Sequence, residues 1–250
     1  MTTVGVPNHA IRTKGELVAN LAGAIRDGSL VPGAKLPSER ELGVQYGLSR
    51  TVIREALRGL AEIGYIEVHP GRGSFVRAPE SADLSKPLVR IATSVGVTSR
   101  DLVEAREVIE VAACRAAAER AGREESEALQ EALRAHHRAK TLPDRASTDL
   151  AFHVAIVESA GNPLLGFMYG SIRAFVLGLM LRSHSDPAVH AVGDPMHEEI
   201  YRCIAEGDAD GAAAAMQRHI RLALELYGED LDRPLAEVLA ARGIDPDSLV

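Results

Sequence analysis

The chain has 250 residues, of which 46% are hydrophobic and 4% aromatic, with no Trp and a formal net charge of −7. That length accommodates two domains, one of about 75 and one of about 150 residues, and the wealth of Ala, Leu and Val favours helices over a sheet sandwich. Cys114 and Cys203, far apart in sequence, exclude a disulfide framework and fit a reducing cytoplasm, no apolar run reads as approaching the roughly 20 residues that cross a bilayer, and the N-terminus lacks the regions of a signal peptide.

In chain order, Thr13 is placed to cap a first helix that runs to Asp27, with Glu16 at capping-box spacing and Leu17, Leu21, Ala24 and Ile25 facing inward. Ser38 caps a short second helix that Gly47 ends in a tight turn, and Ser49 caps a third whose inner stripe is read as Val52, Ala56, Leu57 and Leu60 before Gly64. The outer side of that third helix presents Arg50, Thr51, Arg54 and Arg58. The residues in its first turns, Arg50, Thr51 and Arg54, are the ones placed to touch bases or phosphates, with Arg40 reaching phosphate from the supporting helix. Arg58 lies at the rim or pairs within the chain. Taken alone, such arginines also fit the solvated face of an amphipathic helix.

The residues after the third helix add weight to the DNA reading. Segments 65–68 and 74–76 predict a small antiparallel hairpin whose turn holds His69, Gly71, Arg72 and Gly73. The glycines permit close approach to a sugar–phosphate chain, and Arg72 can border a minor groove. Helix, turn, recognition helix and hairpin together predict a winged helix-turn-helix over residues 11–77. Charge is divided to match: residues 1–80 hold ten Lys or Arg and eight Asp or Glu, whereas the remainder holds 18 and 27.

These motifs, Pro37-Ser38-Glu39-Arg40-Glu41-Leu42, then residues 49–57 and Gly71-Arg72-Gly73-Ser74-Phe75-Val76, resemble the DNA-binding domain of the GntR family of bacterial transcription regulators. The resemblance implies that Arg40, Arg50 and Arg54 contact an operator in double-stranded DNA, that Gly71 approaches it, and that His69 occupies a wing position able to reach the minor groove.

A polar linker is expected at 78–83. Helical segments come next at roughly 84–94, 99–121, 124–139, 143–160, 162–182, 194–206 and 208–228, an antiparallel bundle of about seven helices, mainly α like the whole chain. Residues 229–250 are expected as an extension, lightly packed after about 238. Within the bundle, Asp149 and His153 share one helical face, and His197 and His219 lie on otherwise apolar stripes of two later helices. A buried carboxylate needs a cation or strong donors. One carboxylate and three imidazoles make a first shell for a divalent transition metal, Zn foremost, with Ni, Mn or Fe also suited. The same spacing also fits three separate, hydrogen-bonded core histidines. His9, His136, His137, His184 and His190 are left outside the site, the adjacent pair because both cannot face the core.

Asp101 to Arg106 with Glu110, Asp149-x3-His153, and the stretch from His197 through Asp208 to His219 are similar to the helical ligand-binding domain of the FadR subgroup of that family. The resemblance implies a metal on Asp149, His153, His197 and His219, a small carboxylate completing its shell, and Arg106 as a pocket arginine that pairs with an acidic effector. The expectation is a homodimeric, cytoplasmic regulator with no membrane partner, a repressor released from a palindromic operator by a small organic or sugar acid. A metal-dependent enzyme fused to a DNA-binding module stands as the alternative, with Glu110 or Glu198 as conceivable bases, and an architectural DNA binder as a third.

Overall fold

A computed structural model describes residues 11–78 and 82–244, apart from the side chains of 82–84, 86 and 190. Of the expected linker at 78–83, residues 79–81 lie outside the described residues and 82–83 already belong to the helix Ala82–Val95; the N-terminus with His9 and residues 245–250 also lie outside. The chain divides into two compact units between Asp83 and Leu84.

The first unit contains α1 (Lys14–Arg26), α2 (Glu39–Tyr46), α3 (Arg50–Glu62), β1 (Ile66–His69) and β2 (Gly73–Val76). Local chemistry sets its boundaries. Thr13 and Glu16 form a capping box on α1, Ser38 and Glu41 form one on α2, and the Ser49 hydroxyl accepts from the Val52 amide at the start of α3. Gly47 closes α2 at φ +65°, a left-handed conformation open to glycine at little cost. The two strands pair antiparallel with Ile66 opposite Val76 and His69 opposite Gly73. Leu17, Leu21, Leu42, Ile53, Leu60 and Ile66 are the centre of the core. The inner stripe of α3 is Ile53, Ala56, Leu57 and Leu60, the i, i+3, i+4, i+7 set counted from Ile53. Val52, expected inward, is only partly covered, because it precedes that face by one residue.

A further extended piece, not expected from the sequence, lies beside the hairpin. The Leu36 amide donates to the Ser74 carbonyl at 2.9 Å, and the Val76 amide donates to the Ala34 carbonyl at 2.8 Å.

The second unit is a helical bundle: α4 (Ala82–Val95), α5 (Ser99–Arg120), α6 (Arg123–Arg138), α7 (Leu142–Ser159), α8 (Pro163–His184), α9 (Pro187–Ala205) and α10 (Ala209–Leu226). A 3₁₀ turn (Gly228–Leu231) and the short α11 (Leu235–Ala240) complete the described part. The protein is mainly α-helical, a winged helix-turn-helix followed by a larger bundle. Three details depart from the sequence expectations. First, α9 begins at Pro187 and continues through Pro195. Pro187 sits in the first turn, where no amide partner is needed, and Pro195 is accommodated inside the helix although it was expected to mark a boundary.

Second, the stretch from about 238, expected to be lightly packed, begins with buried residues that continue a buried stripe before it. Leu231, Leu235, Val238 and Leu239 are buried, and the Leu235 amide donates to the Val97 carbonyl at 2.8 Å. Third, α8 spans 22 residues, and its most apolar 18-residue window has a mean hydropathy of 1.7, so by length and composition it can cross a membrane. No such run was expected, since Arg173 and Arg182 interrupt its apolar residues. In the bundle α8 packs against α5, α7, α9 and α11, with Tyr169, Ala174, Val176, Leu179 and Met180 buried, and so has the packing of a central core helix.

Candidate functional site

Three helices deliver the four residues expected to hold a metal. Asp149 and His153 lie one turn apart on α7, His197 is on α9, and His219 is on α10. One donor atom from each lies within 4.8 Å of all the others. His197 Nε2 is 3.0 Å and His153 Nε2 is 3.3 Å from the same oxygen, Asp149 Oδ1, and His219 Nε2 is 3.2 Å from His153 Nε2. The sequence brings these residues to one helix face each, and the packing of α5, α7, α9 and α10 brings the faces together.

The outward atoms of two rings are anchored. His153 Nδ1 donates to Glu110 Oε2, and His197 Nδ1 donates to the Asp194 carbonyl at 3.2 Å. Those bonds assign the protons to Nδ1 and leave both Nε2 lone pairs directed at the common centre. His184 Nε2 lies 2.9 Å from the second oxygen of Asp149. Asp149 Oδ1 and His197 Nε2, although only 3.0 Å apart and closed off from solvent, make no hydrogen bond with each other or with any other group. Buried lone pairs that converge without a donor fit a cation between them. The cluster can therefore coordinate a divalent metal.

Ionisation agrees with that chemistry at Asp149, His197 and His219, and runs against it at His153. Burial opposes a charge on Asp149, but His197, His153 and His184 together hold its carboxyl well below the usual carboxylate range. Burial, then the neighbouring imidazoles, lower His219 well below its ordinary value, and burial lowers His197 as well, so both stay neutral as metal ligands must. Burial acts against protonation of His153 too, but the Glu110 carboxylate beside it overrides the effect and raises its pKa.

Arg106 is buried on α5 and lines the same cavity, of about 40 Å³, as Asp149, His197 and His219. Its Nε donates to Glu110 Oε1 at 2.6 Å and its Nη2 to Glu110 Oε2 at 3.5 Å. Against the penalty of burial, Arg106 first and His153 next hold the Glu110 carboxyl down at about 2. Glu110 is thus an anchor between Arg106 and His153, and a carboxyl held down at about 2 is a poor general base. Glu198 is exposed and faces His137. Neither of the two conceivable bases is in position to activate water.

Two histidines that the sequence left outside the site belong in this region. His184 ends α8 and is buried, and His136 is buried while its neighbour His137 is exposed. The signal for His136 was present: it extends the buried stripe Leu129, Leu133 by one step of three. The side chain of His190 lies outside the described residues.

In the first unit, Arg40, Arg50, Thr51 and Arg54 are all exposed. Arg54 is held by Glu39 through two parallel bonds, Nε to Oε1 at 3.0 Å and Nη2 to Oε2 at 2.9 Å. Arg58 pairs with Glu62 at 3.0 Å on its own helix. At the wing, Gly71 and Arg72 are exposed at the tip, Gly71 with φ +73°, a value that favours glycine. His69 Nε2 lies 2.9 Å from Glu67 Oε1, and its ring meets Phe75 edge-on. Lys35, which no sequence motif singled out, places its ammonium 5.8 Å from the centre of the Phe75 ring and adds a cation at the base of the wing.

Comparison with known proteins gives this arrangement a family. Residues 13–76 match the bacterial regulatory proteins of the gntR family, and residues 101–222 match the FCD domain. The HTH-type transcriptional regulator Rv0494 of Mycobacterium tuberculosis is 30% identical over 88% of this chain and 91% of its own. A regulatory protein of Escherichia coli K12 named for the L-lactate dehydrogenase operon is 32% identical over 89% and 90%. The chain belongs to the GntR family. It is a DNA-binding transcriptional regulator of the GntR/FCD type, and both of these relatives are regulators, not enzymes. A solved structure, Streptococcus agalactiae GntR, shares the fold at 24% identity with a TM-score of 0.66, covering 85% of this chain and 99% of that one.

Proposed function

We propose that the protein is a homodimeric, cytoplasmic repressor of the FadR subgroup, released from a palindromic operator when a small organic or sugar acid binds at a metal in the bundle. The observation that carries this reading is the convergence of Asp149, His153, His197 and His219 in one cluster beside the buried guanidinium of Arg106. The donor set of three nitrogens and one oxygen suits Zn foremost, and Ni, Mn or Fe. When bound, the metal supplies Lewis-acid sites for an oxygen ligand. The chain's own residues do the rest: Glu110 and the Asp194 carbonyl orient His153 and His197, and Arg106, whose Nε and Nη2 bond Glu110, offers its remaining N–H groups to a second anionic group.

On the DNA side, Arg50, Thr51 and Arg54 enter the major groove, Arg40 meets phosphate, and Gly71, Arg72 and His69 reach the minor groove from the wing. The domains that carry these roles are residues 11–77 and 84–228, joined by 78–83, with 229–250 as a C-terminal extension. The acid acts by favouring one arrangement of the two DNA heads over another.

The test is fluorescence anisotropy of the full-length protein on its operator, with and without Zn²⁺ and a panel of hydroxy acids, dicarboxylates and sugar acids. One acid releases the DNA only when metal is present, and His219→Ala abolishes the release while keeping DNA affinity. Release by the same acid from chelator-treated protein, or no release by any acid, defeats the reading.

A further inference from the structure

Beside the four-residue cluster lies a second group of side chains with metal-ligand chemistry. His136 on α6, His184 at the end of α8 and Asp194 on α9 bring one donor atom each to within 4.8 Å of one another. Both imidazoles are buried, and Asp194 is half-buried at the edge of the cavity that Asp149, His184, His197 and His219 also line. Asp149 connects the two groups: Oδ1 faces His153 and His197, and Oδ2 lies 2.9 Å from His184 Nε2.

One spacing in this group is longer than a charge-assisted hydrogen bond and suits two ligands of one ion, while the His184–Asp149 contact at 2.9 Å fits either a hydrogen bond or a shared ion. His136 Nε2 and Asp194 Oδ1 are 3.4 Å apart. A charge-assisted bond between an imidazole and a carboxylate normally closes to about 2.7–2.9 Å. Two ligand atoms each about 2.1 Å from a shared ion lie roughly 3.0 Å apart at right angles and about 3.4 Å apart in a tetrahedron. The edges of the first cluster, at 3.0, 3.2 and 3.3 Å, fall in the same range. The other nitrogen of His136 is accounted for by Thr148 Oγ1 at 3.3 Å, the kind of outer contact that fixes a ligating ring.

We infer that His136, His184 and Asp194, with the Oδ2 atom of Asp149, form a second divalent-cation site, so that the bundle holds a two-ion centre bridged by the Asp149 carboxylate. Carboxylate-bridged ions sit about 3.5–4 Å apart, and two imidazoles with two carboxylate oxygens suit the same borderline metals as the first site. The inference rests on Asp149 being a ligand of the first ion.

The full-length protein, stripped by chelation and dialysed, is titrated with Zn²⁺, and bound metal is counted by elemental analysis after gel filtration. Wild type takes two equivalents per chain. His136→Ala combined with Asp194→Asn takes one, and His219→Ala takes one. His184→Gln serves as a separate variant should the double substitution fail to fold, and it also takes one. A single equivalent in wild type that His219→Ala removes overturns the second site and leaves the first standing. No bound zinc at all defeats both. Two equivalents in wild type that persist in the His136, Asp194 or His184 variants overturn the assignment of these side chains.

Discussion

At the scale of single residues, Glu110 has the largest influence on the site. It is fully buried, accepts from His153 on one side and from Arg106 on the other, and so fixes one metal ligand and one cavity-lining guanidinium together. Glu110→Gln keeps the shape but weakens the hold on His153, so metal affinity falls roughly 10–100-fold, measured by competition with a chromophoric chelator. Glu110→Ala leaves a buried guanidinium without its carboxylate and costs about 3–5 kcal/mol in denaturant unfolding.

Arg106→Lys tests the other end of the same chain of contacts. The charge stays and the planar fork is lost, so an acidic effector binds less tightly by calorimetry while metal content is unchanged. Wild-type affinity for the acid in that variant would confine Arg106 to its partnership with Glu110. In sequence, the four clustered positions were visible because each interrupts an apolar stripe. The relation of Glu110 to them was not, because the link runs from α5 to α7, 43 positions apart, and no local pattern encodes it.

Helix boundaries were the most legible elements. Thr13, Ser38, Ser49 and Gly47 each declare their role through a cap that needs only neighbouring residues, and all four occupy those roles. The start of α9 was missed because proline was read only as a breaker, and the packing of the stretch from about 238 was missed because its partners lie on distant helices. Arg182, buried on α8, donates to Asp230 Oδ2 at 3.0 Å and stacks on the Tyr227 ring at 3.8 Å, and Arg100 on α5 grips Asp232 with two bonds. Tyr227 also lines the cavity of the metal cluster, so this strap touches the wall of the site.

Asp230→Asn removes the charge that Arg182 and Arg242 share and should lower stability by roughly 1.5–3 kcal/mol, the range for hydrogen bonds to a charged group, since Asp230 is only partly buried and the Tyr227 carbonyl remains as acceptor for Arg182. Denaturant melts of the full-length protein measure it. A loss under about 1 kcal/mol, the range of an exposed pair, would mean the strap is held by Leu235, Val238 and Leu239 alone.

For the whole molecule, net charge is a poor guide to DNA binding, since acidic side chains predominate only after residue 80. Arg50→Ala should cut discrimination between operator and random DNA on the order of tenfold, as for the loss of a base contact. Gel-shift titrations at matched salt measure this, and an unchanged ratio removes Arg50 from the reading surface. The pair between Arg54 and Glu39 has an effect of another kind. A recognition-helix cation already occupied by a carboxylate of its own head is withheld from any duplex that offers only a passing phosphate. A guanine edge presenting two acceptors in register can replace both bonds at once, whereas a misplaced site cannot. With Arg54 on the reading surface as proposed, the acid at Glu39 would compete with DNA for it and raise the threshold for the wrong sequence more than for the right one. Replacing it with Gln should tighten binding everywhere, and most on DNA that the protein ought to leave alone.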